Sequence, residues 1–365
     1  MRVLFLTKYH TKGASSRYRA LQYLPYLQAQ GVSCEVHPLF DNGYLQIRYQ
    51  TGRVSLVKTL FAFVSRLVTI LRAKHYDVIY IEAEALPYFS ALPERILNWK
   101  KLPYVVDYDD AIFHNYDAHS RTLVRRLLAG KIAKVMAQSA MVSAGNDYLA
   151  SYAAQAGAQR IEQLPTVIDL EKYPSAPLSR NDSSPSSIRI GWIGSPSTAK
   201  YLKTIAPALA QVCAKWRAEL VLVGSGAIEL EGVPTQIIEW SEREEVAAIQ
   251  SFDIGIMPLV DSPWERGKCG FKLVQYMACS LPVVASPVGV NQQIVQPENG
   301  FLAKDEQQWV QALGRLIESA SLRQSMGEQG RQLVEQKYCL QVTAPKMLQM
   351  LRTAAKTSTT AKSKG

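Results

Sequence analysis

The stretch IRIGWIGSPSTAK, residues 188–200, joins a short apolar run to a glycine turn and the beginning of a helix. The apolar run predicts a buried strand over 188–193, and a helical pattern follows over 198–215. The alternation then continues, with strands predicted at 219–223, 235–239, 253–257 and 281–285 and helices at 242–250, 270–278, 306–319 and 321–335. Strands that alternate with helices in this way predict a parallel sheet covered by helices on both faces.

The first half of the chain has the same alternation. Strands are predicted at 2–7, 32–38, 77–81, 102–106 and 139–143, with helical segments such as 17–30 and 121–138 after them. Residues 170–187 (LEKYPSAPLSRNDSSPSS) have no periodicity and are rich in Pro and Ser, which is typical of an interdomain linker. We therefore expect an α/β fold with two doubly wound, Rossmann-like domains that face each other across a cleft.

The predicted boundaries follow from this alternation. The first domain spans 1–170, the linker 171–187 and the second domain 188–338. A helix predicted at 339–353 is a candidate to return to the first domain. The tail over 354–365 (AAKTSTTAKSKG) is small, polar and basic, so we expect it to be disordered.

Composition excludes several classes of protein. With 365 residues, of which 47% are hydrophobic, the chain can bury two cores. Its five cysteines lack the close pairs of a zinc site or redox motif. The first apolar run is too short for a signal peptide, and the stretch from Val54 to Leu71 is broken by Lys58 and Arg66. We expect a cytoplasmic protein.

The charge points to an anionic partner. The formal net charge is +10, and residues 1–170 hold 20 Lys and Arg against 13 Asp and Glu. Residues 42–76 and 118–146 contain no acid. The second stretch carries a set of cations: Arg121, Arg125, Arg126, Lys131 and Lys134. No nucleic-acid motif accompanies this charge, and an anionic membrane surface fits basic helices with apolar faces better. A solvated basic helix face stays open as the alternative.

Three segments of the second half could hold phosphate. In the first, Gly194 lets the backbone approach a phosphate, the helix after it supplies N–H groups, and Lys200 adds a charge. An ordinary strand–turn–helix with Ser197 or Thr198 as N-cap is the alternative. The second is the loop with Lys268, Cys269, Gly270, Phe271 and Lys272, in which Gln275 lies one turn further along the helix. The third is the turn PVGVN at 287–291, around Gly289.

These segments carry a family resemblance. The region from Gly267 to Ser286 resembles the signature region of the retaining glycosyltransferases of family four, which have the GT-B fold. Residues 190–200, LPTVID at 164–169 and ENG at 298–300 are also similar to that family. The resemblance covers nearly the whole chain. It implies transfer of a hexosyl or related sugar from a nucleotide-diphosphate donor to a saccharide or lipid-linked acceptor, in surface-polysaccharide synthesis.

The resemblance assigns donor-side roles residue by residue. Lys200 matches the basic residue that neutralises the donor diphosphate. Ser195 stands where many members have an arginine. Gln275 stands where a glutamate of the family binds the ribose hydroxyls. An amide can still accept one such hydrogen bond and donate another. The family's first glutamate falls on Gly267, and Glu265 is the candidate to replace it.

The first domain supplies the candidate acceptor residues. The segment KYHTKGASSRYR at 8–19 matches the family's glycine-rich loop, although only Gly13 keeps that character. Arg17 and Arg19 make it cationic, so we expect contact with an acceptor phosphate. N-capping by Ser15 or Ser16, with the arginines in solvent, is the alternative.

Acidic residues follow the strand predicted at 102–106. Within DYDDAIFH, residues 107–114, three carboxylates would repel one another unless they face a ligand, a cation or an interface. We expect Asp109 or Asp110 to bind sugar or acceptor hydroxyls. His114 is a weaker candidate, because a lone histidine is more often structural.

The resemblance also implies the mechanism. The family works without a metal or other cofactor, so Lys200, Lys268 and Lys272 would stabilise the charge on the leaving diphosphate. The anomeric configuration would be retained, with the leaving phosphate helping to take the acceptor's proton. Two alternatives are an epimerase or phosphorylase on the same fold, and a degenerate, non-catalytic nucleotide-sugar-binding partner.

Overall fold

The computed structural model describes residues 1–44, 47, 55–174 and 187–362. Most of the predicted linker, 175–186, lies outside the described residues. The chain divides into two compact units. The first comprises Met1–Thr166, Gly267–Cys269 and Thr343–Gly365, and the second comprises Val167–Arg266 and Gly270–Val342.

The first unit is built on a six-stranded parallel sheet. Its strands are β1 (Arg2–Leu6), β2 (Ser33–Val36), β3 (Val78–Glu82), β4 (Tyr104–Tyr108), β5 (Met141–Ala144) and β6 (Ile161–Gln163). They lie in the order β2-β1-β3-β4-β5-β6, so the chain reverses its direction of travel between β1 and β3. In open α/β sheets, ligands bind beyond the carboxyl ends of strands at such a switch point.

Helices cover this sheet. The α-helices of the first unit span Ala14–Arg19, Leu24–Ala29, Leu56–Arg72, Leu92–Trp99, His114–Asp117, Thr122–Leu128, Lys131–Gln138 and Asp147–Gln155, with a 3₁₀ turn at Leu21–Tyr23. Strands β3 and β4 are buried along their whole length because helices cover both faces. Ile79 and Val106 of the sheet share one core with Leu97 and Ile132 of the helices.

The second unit has its own six-stranded parallel sheet. The strands are β7 (Ile188–Ile193), β8 (Ala218–Val223), β9 (Thr235–Ile238), β10 (Ile254–Met257), β11 (Val283–Ala285) and β12 (Gly300–Leu302). The order is β12-β11-β10-β7-β8-β9, which places the switch point between β7 and β10. Successive residues of β8 point to opposite faces, so Leu220 and Leu222 enter one core and Val221 and Val223 the other.

Helices flank the second sheet as well. The α-helices span Pro196–Ala199, Ala206–Lys215, Glu245–Gln250, Pro263–Arg266, Phe271–Ala278, Asn291–Ile294, Glu306–Glu318 and Ala320–Lys337, with 3₁₀ turns at Leu170–Lys172 and Lys200–Ile205. The helix Leu340–Lys362 passes from the second unit into the first.

The predicted fold class is confirmed, because both sheets are parallel and carry flanking helices. All ten predicted strands are present. Strands β6 (IEQ) and β12 (GFL) were missed because neither lies in a run rich in Val and Ile, unlike the equally short β11 (VVA).

Three predicted helices are interrupted. The helix predicted at 121–138 breaks at Gly130, which precedes the second piece. Those predicted at 17–30 and 198–215 each continue as a new helix that has proline in its first turn, Pro25 and Pro207.

The last helix is longer than predicted. It continues to Lys362, so residues 354–362 are helical rather than disordered. This stretch lacks glycine and proline, the residues that most disfavour helix, so the helix can continue past the predicted end at 353. Among the described residues, no helix is both long and apolar enough to cross a bilayer.

Candidate functional site

The switch point of the second sheet places Gly194 directly after β7. Its N–H donates to the Val223 carbonyl at 3.0 Å. A Cβ at Gly194 would lie 2.5 Å from the Trp192 ring and 2.9 Å from Lys272 Cε. Glycine is therefore required here, and it lets the Lys272 side chain lie against the backbone at the end of β7.

Lys272 lies in the first turn of the helix Phe271–Ala278. The residue before this helix, Gly270, has φ of 65° and caps it in the left-handed conformation, which favours glycine. The Lys272 ammonium is 5.3 Å from the centroid of the Trp192 ring. The Lys272 side chain, which starts in the first turn of this helix, thus reaches Gly194, a combination that suits a bound anion.

Ser195 and Lys200 flank the short helix Pro196–Ala199. Ser195 is its N-cap and forms a capping box with Thr198. The alternative with Ser197 or Thr198 as the N-cap is therefore wrong. Lys200 is exposed, and its ammonium lies 5.1 Å from the Tyr201 ring centroid. Ser195 is thus partly used in local structure, whereas the Lys200 charge reaches solvent.

Glu265, the candidate to replace the family's first glutamate, is buried. Its two carboxylate oxygens accept from the Tyr201 and Ser262 hydroxyls. Tyr201 follows Lys200 directly, so the structure connects Glu265 to the turn that carries Lys200.

Gln275 is buried and faces other side chains of the second unit. Its Nε2 donates to Glu245 Oε1 at 3.0 Å and to the Tyr173 hydroxyl at 3.1 Å. Glu245 also accepts from Trp240 Nε1 at 2.7 Å. Both amide protons are thus used inside the unit, so Gln275 could offer a ligand only its amide oxygen, Oε1.

Gly289 lies in the turn after β11, with φ of 54°. A Cβ there would be 2.7 Å from the Arg266 carbonyl oxygen. Asn291 braces the turn by donating to the Ser286 carbonyl at 3.0 Å. The turn is therefore packed against the segment that precedes Gly267.

In the first unit, the switch point centres on Glu82 at the end of β3. This buried carboxylate accepts from Lys8 N at 2.9 Å, Ser15 Oγ at 2.7 Å and Ser16 Oγ at 2.6 Å. The N-cap of the helix Ala14–Arg19 is Gly13, without a side-chain cap, so N-capping by Ser15 or Ser16 is wrong. Both hydroxyls instead fix the glycine loop to β3.

The two predicted acceptor arginines differ from expectation. Arg19 is buried, and its guanidinium donates to Asp107 (Nε to Oδ2, 2.8 Å), the Leu164 carbonyl (2.7 Å) and Thr166 (3.2 Å). Its predicted contact with an acceptor is therefore wrong, because the buried Asp107 carboxylate requires this charge. Arg17 is also largely buried, with its guanidinium 5.4 Å from the Tyr18 ring centroid.

Asp109 and Asp110 follow β4 and have different partners. Lys268 lies 3.6 Å from Asp110 Oδ1 and compensates its charge. Burial raises the pKa of Asp109 to about 7, and the neighbouring Asp110 adds to the rise while Arg19 opposes it. A carboxyl group with this pKa can donate or accept a proton near neutrality.

The segment Gly267–Cys269 forms part of the first unit. Asn146 Nδ2 donates to the carbonyls of Gly267 at 2.9 Å and Lys268 at 3.0 Å, and the Cys269 thiol donates to the Asp109 carbonyl at 3.0 Å. A Cβ at Gly267 would be 2.4 Å from Ala111 Cβ. No glutamate fits at this position without displacing the backbone.

His114 has a partner at each ring nitrogen. Nδ1 is 2.9 Å from Asp117 Oδ1, and Nε2 is 2.8 Å from the Tyr148 hydroxyl. The structural role is therefore favoured over acceptor binding. Over the described parts of the chain, no group of three or more His, Cys, Asp or Glu could hold a metal ion.

Residues 187–319 match the family model described as "Glycosyl transferases group 1". HepE from Anabaena, solved with UDP, is 16% identical, with a TM-score of 0.70 over 96% of this chain and 100% of that chain. Sucrose-phosphate synthase from Thermosynechococcus elongatus is 15% identical, with a TM-score of 0.69 over 96% and 98%. No curated protein sequence matches the chain.

The chain has the GT-B fold and carries a glycosyl transferases group 1 domain, which supports a nucleotide-sugar glycosyltransferase. The UDP-forming α,α-trehalose-phosphate synthase of Burkholderia xenovorans has the same fold, at 13% identity and a TM-score of 0.66 over 97% of this chain and 99% of that chain. The predicted GT-B architecture is thereby confirmed.

Two carboxylates of these sites, Glu82 and Glu245, were not predicted from the sequence. Glu82 ends a buried strand and could have been found from its place at a predicted carboxyl edge. Glu245 begins a six-residue helix in a charged segment, EREE at 242–245, and no local pattern distinguishes it from its exposed neighbours.

Proposed function

We propose that this glycosyltransferase takes a sugar from a nucleotide-diphosphate donor and transfers it to a saccharide or lipid-linked acceptor with retention of configuration. The observation that supports it most directly is Gly194 and Lys272 meeting at the helix N-terminus that begins after Gly270. This place lies within the residues that match the family model. UDP sugars are the first donors to test, because HepE was solved with UDP-glucose.

The donor half of the reaction rests on positive charge. Breaking the glycosidic bond leaves negative charge on the diphosphate, and fixed cations and helix N–H groups stabilise that charge best when placed beforehand. Lys272 is positioned by Gly194 and Trp192, and Lys200 adds a second cation after β7. We propose that these two lysines bind the diphosphate without a metal ion.

The acceptor half rests on the carboxylates after β4. Asp109 has a pKa raised to about 7 by burial and by Asp110, so it can hydrogen-bond a hydroxyl in either protonation state near neutrality. Lys268 lies 3.6 Å from Asp110 Oδ1 and holds that carboxylate in place. We assign these residues to acceptor binding and leave proton removal to the departing phosphate.

The setting of the reaction is part of the proposal. A cytoplasmic enzyme of surface-polysaccharide synthesis would meet its lipid-linked acceptor at the inner face of a membrane. The acid-free stretches 42–76 and 118–146 support association with anionic lipid there.

A non-catalytic nucleotide-sugar-binding partner is the second candidate. Gln275 and Gly267 stand where the resembled family has glutamates, and the structure uses both positions for packing or internal hydrogen bonds. Such a protein would bind a donor without turnover.

The deciding experiment measures binding and turnover together. Nucleotide sugars are screened by thermal stabilisation and then by donor hydrolysis, with EDTA present in a parallel series. We expect stabilisation by one donor class, slow hydrolysis unaffected by EDTA, and loss of both on Lys272→Ala, with Lys337→Ala as the control. Binding without hydrolysis or transfer would favour the second candidate, and no response to any nucleotide sugar would refute both.

A further inference from the structure

The helix Leu56–Arg72 of the first unit exposes an apolar face. Its exposed large hydrophobic residues are Leu56, Val57, Leu60, Phe61, Val64, Val68 and Leu71. Leu56, Val57 and Phe61 are 84%, 79% and 75% exposed. Their spacing along 17 residues places them on one side of the helix, where a helix of a water-soluble domain normally carries polar residues.

The opposite side of this helix fixes its orientation. Arg66 is buried, and its Nη2 donates to the Thr7 carbonyl at 2.7 Å and to the His37 carbonyl at 2.8 Å. Phe63 and Leu67 pack against the cluster around Phe40. Because these contacts prevent the helix from rolling, the apolar face stays exposed.

Positive charge borders the apolar face. Lys58 and Arg72 are exposed near the two ends of the helix, and residues 42–76 contain no acid. At its C-terminal end, Lys100 Nζ donates to the Leu71 carbonyl at 2.6 Å. The neighbouring Trp99 is 66% exposed, and the Arg95 guanidinium lies 5.4 Å from its ring centroid.

Apolar side chains bordered by cations and an exposed tryptophan match the chemistry of a lipid–water interface. The hydrocarbon accepts the apolar side chains, anionic headgroups attract the cations, and tryptophan favours the boundary between them. A protein partner would have to supply both an apolar groove and acidic residues at its edge.

We propose that the exposed face of the helix Leu56–Arg72 inserts into the headgroup region of a bilayer that contains anionic lipid. The helix lies in the plane of the surface, with Lys58 and Arg72 at the headgroups. This inference rests on the membrane partner included in the proposed function, but it is independent of sugar transfer. It assigns the contact to this helix rather than to Arg121, Arg125 and Arg126.

The first test removes the apolar contact. Binding is measured by co-sedimentation with vesicles of phosphatidylglycerol and phosphatidylcholine, using the full chain. The triple variant Leu60→Gln, Phe61→Gln, Val64→Gln should bind at least about tenfold more weakly, because three exposed apolar side chains no longer enter the hydrocarbon. The control Ile237→Gln, Val260→Gln removes exposed apolar side chains of the second unit and should bind like the unchanged protein.

The second test removes the charge. Lys58→Glu and Arg72→Glu should each weaken binding by at least about fivefold, and the unchanged protein should bind vesicles of pure phosphatidylcholine much less. Added salt should weaken binding of the unchanged protein more than that of the charge-reversal variants, because exposed charges are screened.

Several outcomes would overturn the inference. One is unchanged vesicle binding by the triple variant. Another is loss of binding on reversing Arg121, Arg125 and Arg126 while the triple variant binds normally. A third is a protein that ignores vesicles but self-associates in sedimentation velocity, and becomes monomeric on the triple substitution, since the face would then join two copies.

Vesicle binding and donor binding can be measured independently of each other. Thermal stabilisation by a nucleotide sugar should be the same for the triple variant and the unchanged protein, which also shows that the variant is folded. Vesicle binding without any response to nucleotide sugars would support the membrane surface and refute the proposed transferase site.

Discussion

Replacing Gln275 by glutamate restores the residue that the resembled family has, yet we expect it to destabilise this protein. Gln275 Nε2 lies 3.0 Å from Glu245 Oε1, and both side chains are buried. In the variant Gln275→Glu this donor becomes a second carboxylate oxygen. The hydrogen bond to Glu245 is lost at the same time, whereas the Tyr173 hydroxyl can reorient and donate to the new carboxylate.

The cost follows from the distance. Two unit charges about 3–4 Å apart repel by ~4–5 kcal/mol at an effective dielectric constant of about 20. Protonating one carboxyl avoids the repulsion, and at neutral pH this costs about 3–4 kcal/mol, since each pKa unit above the usual glutamate value is worth ~1.4 kcal/mol. We therefore expect a loss of about 3–4 kcal/mol in the free energy of unfolding at neutral pH.

The sign of the pH dependence distinguishes this cause from a packing defect. The shared proton raises the folded-state pKa of the pair above its unfolded value, so the unfolded state binds fewer protons between the two. The penalty is then full above the folded pKa and shrinks as the pH falls towards about 4.3.

The assay is urea unfolding followed by circular dichroism at about pH 5 and about pH 8. Gln292→Glu, on an exposed glutamine, is the matched control and should change stability by less than about 0.5 kcal/mol at either pH. A variant Gln275→Glu that is as stable as the unchanged protein at the higher pH would refute the reasoning. An equal loss at both pH values would attribute the effect to packing.

Three further predictions concern the first unit. Asp109→Asn should stabilise the protein by about 1–3 kcal/mol at pH 8 but not near pH 4. The Asp109 pKa is raised to about 7, so ionisation of this group in the folded protein costs stability at the higher pH. A loss of stability at pH 8 would contradict the raised pKa. Arg19→Met should lower the free energy of unfolding in urea by about 3–5 kcal/mol, because Asp107 is left buried without its cation. A change in the KM for the acceptor with no loss of stability would instead support acceptor binding by Arg19. Gly267→Ala should cost about 1–3 kcal/mol, because its Cβ would lie 2.4 Å from Ala111 Cβ, and an unchanged melting temperature would show that the segment shifts freely.

The sequence predicted the strands well because the sheets are parallel and buried. Runs such as VIYIE in β3 and AELVLV in β8 are apolar on both faces, and each has at least five residues. The junctions that carry Gly194, Gly270 and Lys272, which we propose to bind phosphate, could be placed as well, because strand–turn–helix junctions are local in sequence.

Long-range partners were not predictable. Arg19 pairs with Asp107, 88 positions away, and Gln275 pairs with Glu245 across 30 positions. A sequence pattern cannot distinguish a charge that enters a buried pair from one that faces a ligand. For the same reason, Arg19 was expected beside an acceptor and Glu245 was overlooked.

The discontinuous first unit has a consequence for how this protein is made. Tyr23 is fully buried, and its hydroxyl lies 3.1 Å from that of Thr343, which is the first residue of the C-terminal segment that the unit includes. A ribosome must therefore finish nearly the whole chain before this unit has all its parts. A truncated product that ends after Thr166 would expose the Tyr23 surface and leave Asn146 without the carbonyls of Gly267 and Lys268. Chaperones and proteases would meet that incomplete unit during synthesis, and expressing residues 1–166 alone is expected to give an aggregation-prone fragment.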